Sequence, residues 1–297
     1  MNRRPFGDGA PRYDAKSLTL KGGTGGIVAT CMCNNFSEVY KIDKTFQIQT
    51  PENIDPQVTH SDTGWVVKEK DNVGSSNKII ARLMIQAEEF IEILYPLFKR
   101  EDIYDKLYEC KELLLICERI GMEVASEVDN INKRVDEHRL VVLKNRVVNP
   151  LPQIVDLEDK CSRFLANAKR FIQTLAELHN LFFQASVDGP KFNEIRNMLK
   201  KQLGEKNTLF QFVQENEPFL KIVVNRRNRM EHPQKGKEFI IKNYELMPDN
   251  RIRPPVWFIN GHYPGPIAEE MNFIIENLLQ FAEIFFILCV FEEKNNS

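Results

Sequence analysis

The stretch Phe164-Leu165-Ala166-Asn167-Ala168-Lys169-Arg170-Phe171-Ile172-Gln173-Thr174-Leu175-Ala176-Glu177-Leu178-His179-Asn180-Leu181-Phe182 decides the fold. Phe164, Leu165, Phe171, Ile172, Leu175, Leu178 and Phe182 recur mostly at spacings of three and four, the repeat of a helix with one buried face. The pattern predicts a helix over 156–185 with those residues inward. Upstream, Ile80, Leu83, Met84, Ala87, Ile91, Leu94 and Phe98 repeat the same period. A second long helical pattern starts near Asp102 and runs through Leu107, Leu114, Cys117 and Val124 towards Val142. Its part from 129 to 138 is highly charged, and Asn149-Pro150-Leu151-Pro152 ends it.

Downstream, shorter helices are expected over 191–203 and 208–215. A further helix is expected over 218–231, because Pro218 suits a first turn. Pro233 pushes His232 towards extended geometry and stops that helix. The period then changes. Residues 238–244 and 255–259 alternate around Pro248-Asp249-Asn250 and read as a β-hairpin inserted near 236–262. Gly265-Pro266 opens a last helix to about Glu293, the most apolar element, with Phe273, Leu278, Phe281, Phe285 and Leu288. Residues 1–75 are rich in Gly, Pro, Asp, Asn and Thr and read as an irregular segment with short strands. The expected organisation is therefore mostly α: an up-and-down helical bundle over 76–297 with one inserted hairpin, preceded by 1–75.

Hydrophobic residues make up 42% and charged residues 28%, which excludes disordered and fibrous classes. A formal net charge of −2 provides no global field for nucleic acid or acidic lipid, so any such partner needs a local patch. Cys31, Cys33, Cys110, Cys117, Cys161 and Cys289 are too sparse in a chain of this length for a disulfide scaffold; they read as reduced thiols in a cytoplasmic protein. No apolar run follows the charged residues Arg3 and Arg4, so no signal peptide is expected. The most apolar run, 284–291, is short for a bilayer and is bounded by Glu283 and Glu292, so it reads as a buried terminal helix rather than a membrane span.

Chemistry concentrates in Asn225-Arg226-Arg227-Asn228-Arg229-Met230-Glu231-His232. Asn228 and His232 are four apart and share a helix face. Arg229 is three from His232, and the long stem of Arg227 can swing its guanidinium towards the same place. Guanidiniums match phosphate oxygens with paired donors, and an imidazole transfers protons near neutrality. Between Glu215 and Arg253, nine Lys or Arg, Lys235 among them, stand against six Asp or Glu, a local basic excess. The plainer alternative stays open: Arg227 and Glu231, four apart, form an ordinary ion pair, Arg226 and Arg229 are solvated, and His232 is a helix cap.

The string Arg227-Asn228-Arg229-Met230-Glu231-His232 resembles the signature of the HEPN superfamily, an Arg, then a polar residue, then His after four to six intervening positions. The resemblance implies a metal-independent endoribonuclease needing no cofactor. His232 would be the acid–base group, Arg227 would stabilise the phosphate, Asn228 would orient the pair, and Arg226, Arg229 and Lys235 would hold substrate. It further implies RNA as partner, a homodimer with a composite site, and a role as a toxin with an antitoxin protein or as a phage-defence effector. A non-catalytic HEPN-like module binding RNA, a nucleotide or a protein is the alternative. Elsewhere, Gly22-Gly23-Thr24-Gly25-Gly26 lacks the Lys of a phosphate loop, and Cys31-Met32-Cys33 lacks a second ligand pair at zinc spacing, so no metal is assigned. His179, among apolar residues, reads as a core histidine with its hydrogen bonds satisfied.

Overall fold

The apolar stripes of the sequence become long helices in the computed structural model, which describes residues 19–94, 100–136, 151–183, 187–189, 191–249 and 251–296. The chain is mostly helical, with antiparallel strands, and forms two compact units: Met1–Lys111 with Glu293–Ser297, and Glu112–Glu292. The boundary falls inside a helix rather than near residue 75 as expected. What ties residues 76–111 to the first unit is side-chain contact with a sheet.

That sheet is a four-stranded antiparallel meander: β1 (Ala29–Cys33), β2 (Phe36–Tyr40), β3 (Thr45–Gln49) and β4 (Val66–Asp71). The short helix α1 (Pro51–Ile54) sits between β3 and β4, closed by a capping box in which Thr50 and Asn53 bond each other's backbone. Residues 29–71 are thus more regular than an irregular segment with short strands. The two faces of the sheet have different partners. Val39, Phe46 and Ile48 form a small core with Leu20. Cys31, Glu38 and Tyr40 lie on the other face, and there the Cys31 thiol donates to the Met84 carbonyl at 3.7 Å. Met84 belongs to a π-helical turn (Ala81–Ile85) between α2 (Lys78–Ile80) and α3 (Ala87–Ile93).

The helix α4 (Arg100–Asp136) starts in this unit. Lys111 extends from it to Glu38, 2.5 Å away, and both are essentially sealed from solvent, at 1% and 0% side-chain exposure. The Lys111 ammonium also stands 4.4 Å over the Tyr108 ring, and Tyr40 donates its hydroxyl to the same Glu38 oxygen. The continuation of this helix towards Val142, and the charged part around His138, lie outside the described residues.

In the second unit α5 (Leu157–Phe183) carries the stripe read from the sequence, and every residue expected inward on it is buried. Its Lys160 pairs with Glu123 and Glu127 of α4, at 3.1 and 2.5 Å. After it come α6 (Phe192–Leu203), α7 (Thr208–Glu231) and α8 (Ile267–Asn296). Aromatic rings join them: Phe192 meets Phe281 and Phe285 edge-on, and Phe212 stacks on Phe281 at 5.2 Å. Each such side chain removed from water stabilises the unit by about 1.5–3 kcal/mol.

Two expectations change here. Residues 208–231 form one helix, not two, with Pro218 inside it. Pro218 removes one backbone donor, but Val213, Leu220 and Val223 are buried on either side of it, and packing outweighs the local breaker. His179 is buried, and among the described residues neither ring nitrogen has a partner at normal hydrogen-bond geometry, Asn180 acting on it only weakly. The ring instead stacks on Phe183 and Phe285 at 4.6 and 6.2 Å.

Between α7 and α8, β5 (Phe239–Lys242) pairs antiparallel with β8 (Val256–Ile259), with Phe239 opposite Ile259 and Lys242 opposite Val256. The excursion between them adds β6 (Glu245–Leu246) and β7 (Ile252–Arg253), and β9 (Gly265–Pro266) pairs with β8. Asn243 anchors the hairpin by bonding both backbone groups of Ile154, at 3.0 and 2.8 Å. Among the described residues one helix, α8 over Ile267–Lys294, is long and apolar enough to cross a membrane, and 56% of its most apolar window is buried inside the protein. Phe273, one of the residues that make this helix the most apolar element, is 58% exposed. All six cysteines are buried and none is in a disulfide.

Candidate functional site

Asn207 starts α7 by accepting hydrogen bonds from the backbone of Leu209 and Phe210, at 2.8 and 3.1 Å. At the other end Pro233 has the expected effect. His232 leaves the helix at φ −131°, ψ 73°, while its N–H still donates to the Asn228 carbonyl at 2.8 Å. The residues before it fan out at about 100° per residue, so neighbouring side chains meet different neighbours.

Arg226 and Arg227 go to different partners. Arg226 pairs with Glu270 at 2.7 Å and lies 5.2 Å over the Trp257 ring. Trp257 donates its indole N–H to the same Glu270 oxygen. Glu270 in turn packs so tightly on Gly265 that a Cβ there would stand 1.9 Å from its carboxylate. A guanidinium held over an indole face and against a carboxylate is a structural joint between α7, β8 and α8.

Arg227 turns towards α5. It donates to the Ser162 hydroxyl at 3.0 Å and pairs with Glu231 at 2.8 Å. Lys169, also on α5, donates to the Asn228 amide oxygen at 2.9 Å and to the other Glu231 oxygen at 3.3 Å. Glu231 therefore sits between two cations. Its partial burial pushes the carboxyl pKa up, but Arg227, Lys169 and then His232 more than offset this and hold it below the ordinary value. Arg229 donates to the Lys237 carbonyl at 3.0 Å and closes the loop after the helix.

His232 and Lys235 are exposed. Among the described residues neither side chain is engaged in a hydrogen bond or ion pair. The site is thus an open end of α7, where an imidazole stands beside a Glu231–Arg227–Lys169–Asn228 network. The ion pair of Arg227 and Glu231 and the capping position of His232, both open as plain alternatives in the sequence, are present. Arg227 is engaged by Glu231 and Ser162, and Arg226 is tied to Glu270 rather than solvated.

Sequence reasoning missed Ser162, Lys169, Trp257 and Glu270. Lys169 interrupts the apolar stripe of α5 on its outer side, where a lysine ordinarily means solvent. Trp257 and Glu270 show no spacing that relates them to Arg226. Among the described residues no cluster of three or more His, Cys, Asp or Glu is arranged to hold a metal. No family model, curated protein or solved structure matches the chain.

Proposed function

We infer that the helical part of the chain is an HEPN-type domain, an up-and-down bundle with an inserted hairpin, acting as a metal-independent endoribonuclease. The observation that carries this reading is the exposed His232 ring at the end of α7, one residue beyond a carboxylate that holds Arg227 and Lys169 in reserve. His232 takes the proton of the ribose 2′-hydroxyl, whose oxygen attacks phosphorus. The P–O5′ bond breaks and the 5′-oxygen receives a proton, leaving a 2′,3′-cyclic phosphate and a 5′-hydroxyl. The phosphate displaces Glu231 from Arg227, since both are oxyanions that accept from the same guanidinium fork. Asn228 is oriented by Lys169, and Lys235 and Arg229 flank the strand. Arg226 is reassigned from substrate to the Trp257–Glu270 joint.

On this reading the protein works in the cytoplasm as a homodimer with two His232 ends facing each other. It is a toxin restrained by an antitoxin protein, or a defence effector. The test is cleavage of single-stranded RNA in EDTA, with product ends identified. Wild type yields cyclic phosphate ends, and His232→Ala loses at least a hundredfold in rate. Retained cleavage in that variant removes His232 from the chemistry.

One observation favours a second reading. Arg226, Arg227 and Arg229 each have a partner within the chain. A module that binds RNA, a nucleotide or a protein without cutting would look the same. It predicts salt-dependent RNA binding with no product.

A further inference from the structure

The face of α7 that carries Asn228 and Glu231 continues upstream through Val224, Lys221, Leu220 and Glu217, at helical spacings of three and four. Those four residues wall a cavity of about 480 Å³ between α7 and the start of α6. Such a volume suits a small organic ligand. Two kinds of wall meet in it. Phe192, Leu220 and Val224 give it a small apolar part, Phe192 and Leu220 being themselves almost fully buried. The same cavity is lined by Asn193 and the Arg196–Glu217 ion pair, in which Glu217 is 13% exposed and so held in one place. Lys221 is exposed at the rim, with no partner among the described residues.

We propose that this cavity binds the base of one unpaired nucleotide of the single-stranded RNA whose backbone then follows α7 to His232, a proposal that rests on the RNA-directed reading above. The lining matches a nucleobase in both respects. The apolar residues touch part of one ring face, and the Glu217 oxygen not held by Arg196, which only accepts hydrogen bonds, finds two N–H donors on an exocyclic amino group against the single ring N–H of uracil. Asn193 provides a donor and an acceptor for the rest of the base edge. Lys221 meets the phosphate, and Asn228 lies two turns further on, a rise of about 10 Å. At stacked spacing this is about three nucleotides. The base in the cavity is therefore separated from the bond cut at His232 and selects sequence rather than chemistry.

The experiment measures anisotropy of a labelled six-nucleotide oligoadenylate and oligouridylate on the full chain carrying His232→Ala, so that no probe is consumed. Oligoadenylate should bind at least fivefold tighter than oligouridylate. Val224→Trp, which fills the cavity, should weaken oligoadenylate at least tenfold and abolish the preference. Lys221→Glu and Asn193→Ala, both at exposed positions, should each weaken it at least threefold with unchanged melting temperature, so that misfolding of the tryptophan variant cannot imitate the result. Oligoadenylate binding untouched by all three variants overturns the proposal. So does a cavity that takes free adenosine monophosphate, lost in Val224→Trp, while oligoadenylate binding stays. A wild-type chain that binds oligoadenylate through the cavity but cuts no RNA ends the nuclease reading and leaves this one standing. Cleavage lost in His232→Ala, together with oligomer binding indifferent to the cavity variants, does the reverse.

Discussion

The Glu231 carboxylate lies 2.8 Å from the Arg227 guanidinium, one turn along the same helix, and its second oxygen lies 3.3 Å from Lys169. One acid thus neutralises two cations at the edge of the exposed His232. Glu231→Gln keeps the shape and removes the charge. Because the pair is partly exposed, its loss costs only about 0–1 kcal/mol of stability. RNA binding should tighten by about tenfold at low salt, and the slope of log K against log salt should steepen by about 0.7 for each additional phosphate met. Anisotropy across a salt series reads both. An unchanged slope would show that the freed cations face no phosphate.

Gly265 and Glu270 are coupled by the lack of a side chain on the former. A methyl group at 265 would stand 1.9 Å from Glu270, whose carboxylate serves both Arg226 and Trp257. Gly265→Ala should therefore displace the acceptor of a buried indole N–H and cost about 1–3 kcal/mol. Tryptophan emission should shift as the environment of Trp257 changes. In a Glu270→Gln background the same glycine change should cost distinctly less if it acts through the carboxylate. Equal costs in both backgrounds would place the strain elsewhere.

How much of this was legible in the sequence depends on where each partner lies. The stripe of α5 was fully readable because Phe164, Leu165, Phe171, Ile172, Leu175, Leu178 and Phe182 are all buried on it. The end of α7 was readable because Pro233 acts on its own neighbour. The sheet of residues 29–71 was not, since Val39 on one face and Glu38 and Tyr40 on the other are all buried, which hides the alternation. Pro218 misled because the packing of Val213 and Leu220 is not a local signal. The site itself was half visible. Arg227, Asn228 and His232 share a string, whereas Lys169, Ser162, Trp257 and Glu270 arrive through the fold, and no spacing announces them.

The pair of Lys111 and Glu38 gives a test of the first unit alone. Both are sealed from solvent, and one Glu38 oxygen, Oε1, has no hydrogen-bond partner among the described residues. Lys111→Met strands a buried carboxylate and should cost about 3–5 kcal/mol, whereas replacing both residues, as Lys111→Met with Glu38→Leu, should recover most of that loss. Urea unfolding followed by circular dichroism measures each variant. A double variant no better than the single one would mean that Tyr40 and Tyr108 depend on the charges for their packing.

His179 should make the second unit sensitive to acid. Burial between Phe183 and Phe285 pushes its pKa from 6.5 down to about 4, against a smaller upward pull from Asn180. The unfolded chain then binds a proton that the folded protein refuses. Between these two pH values the unfolded state carries more protons, so stability rises with pH across the window and falls as pH drops through it. The full difference is about 3 kcal/mol, reached near pH 4 and constant below it. His179→Leu removes the titrating group while keeping an apolar side chain in the site. The stability of wild type minus that of His179→Leu, measured by denaturant unfolding from pH 7 to pH 4, should therefore decline by about that amount. A difference that stays level across the range would mean that water or a rearranged partner reaches the ring, and that the site is not as dry as its contacts imply.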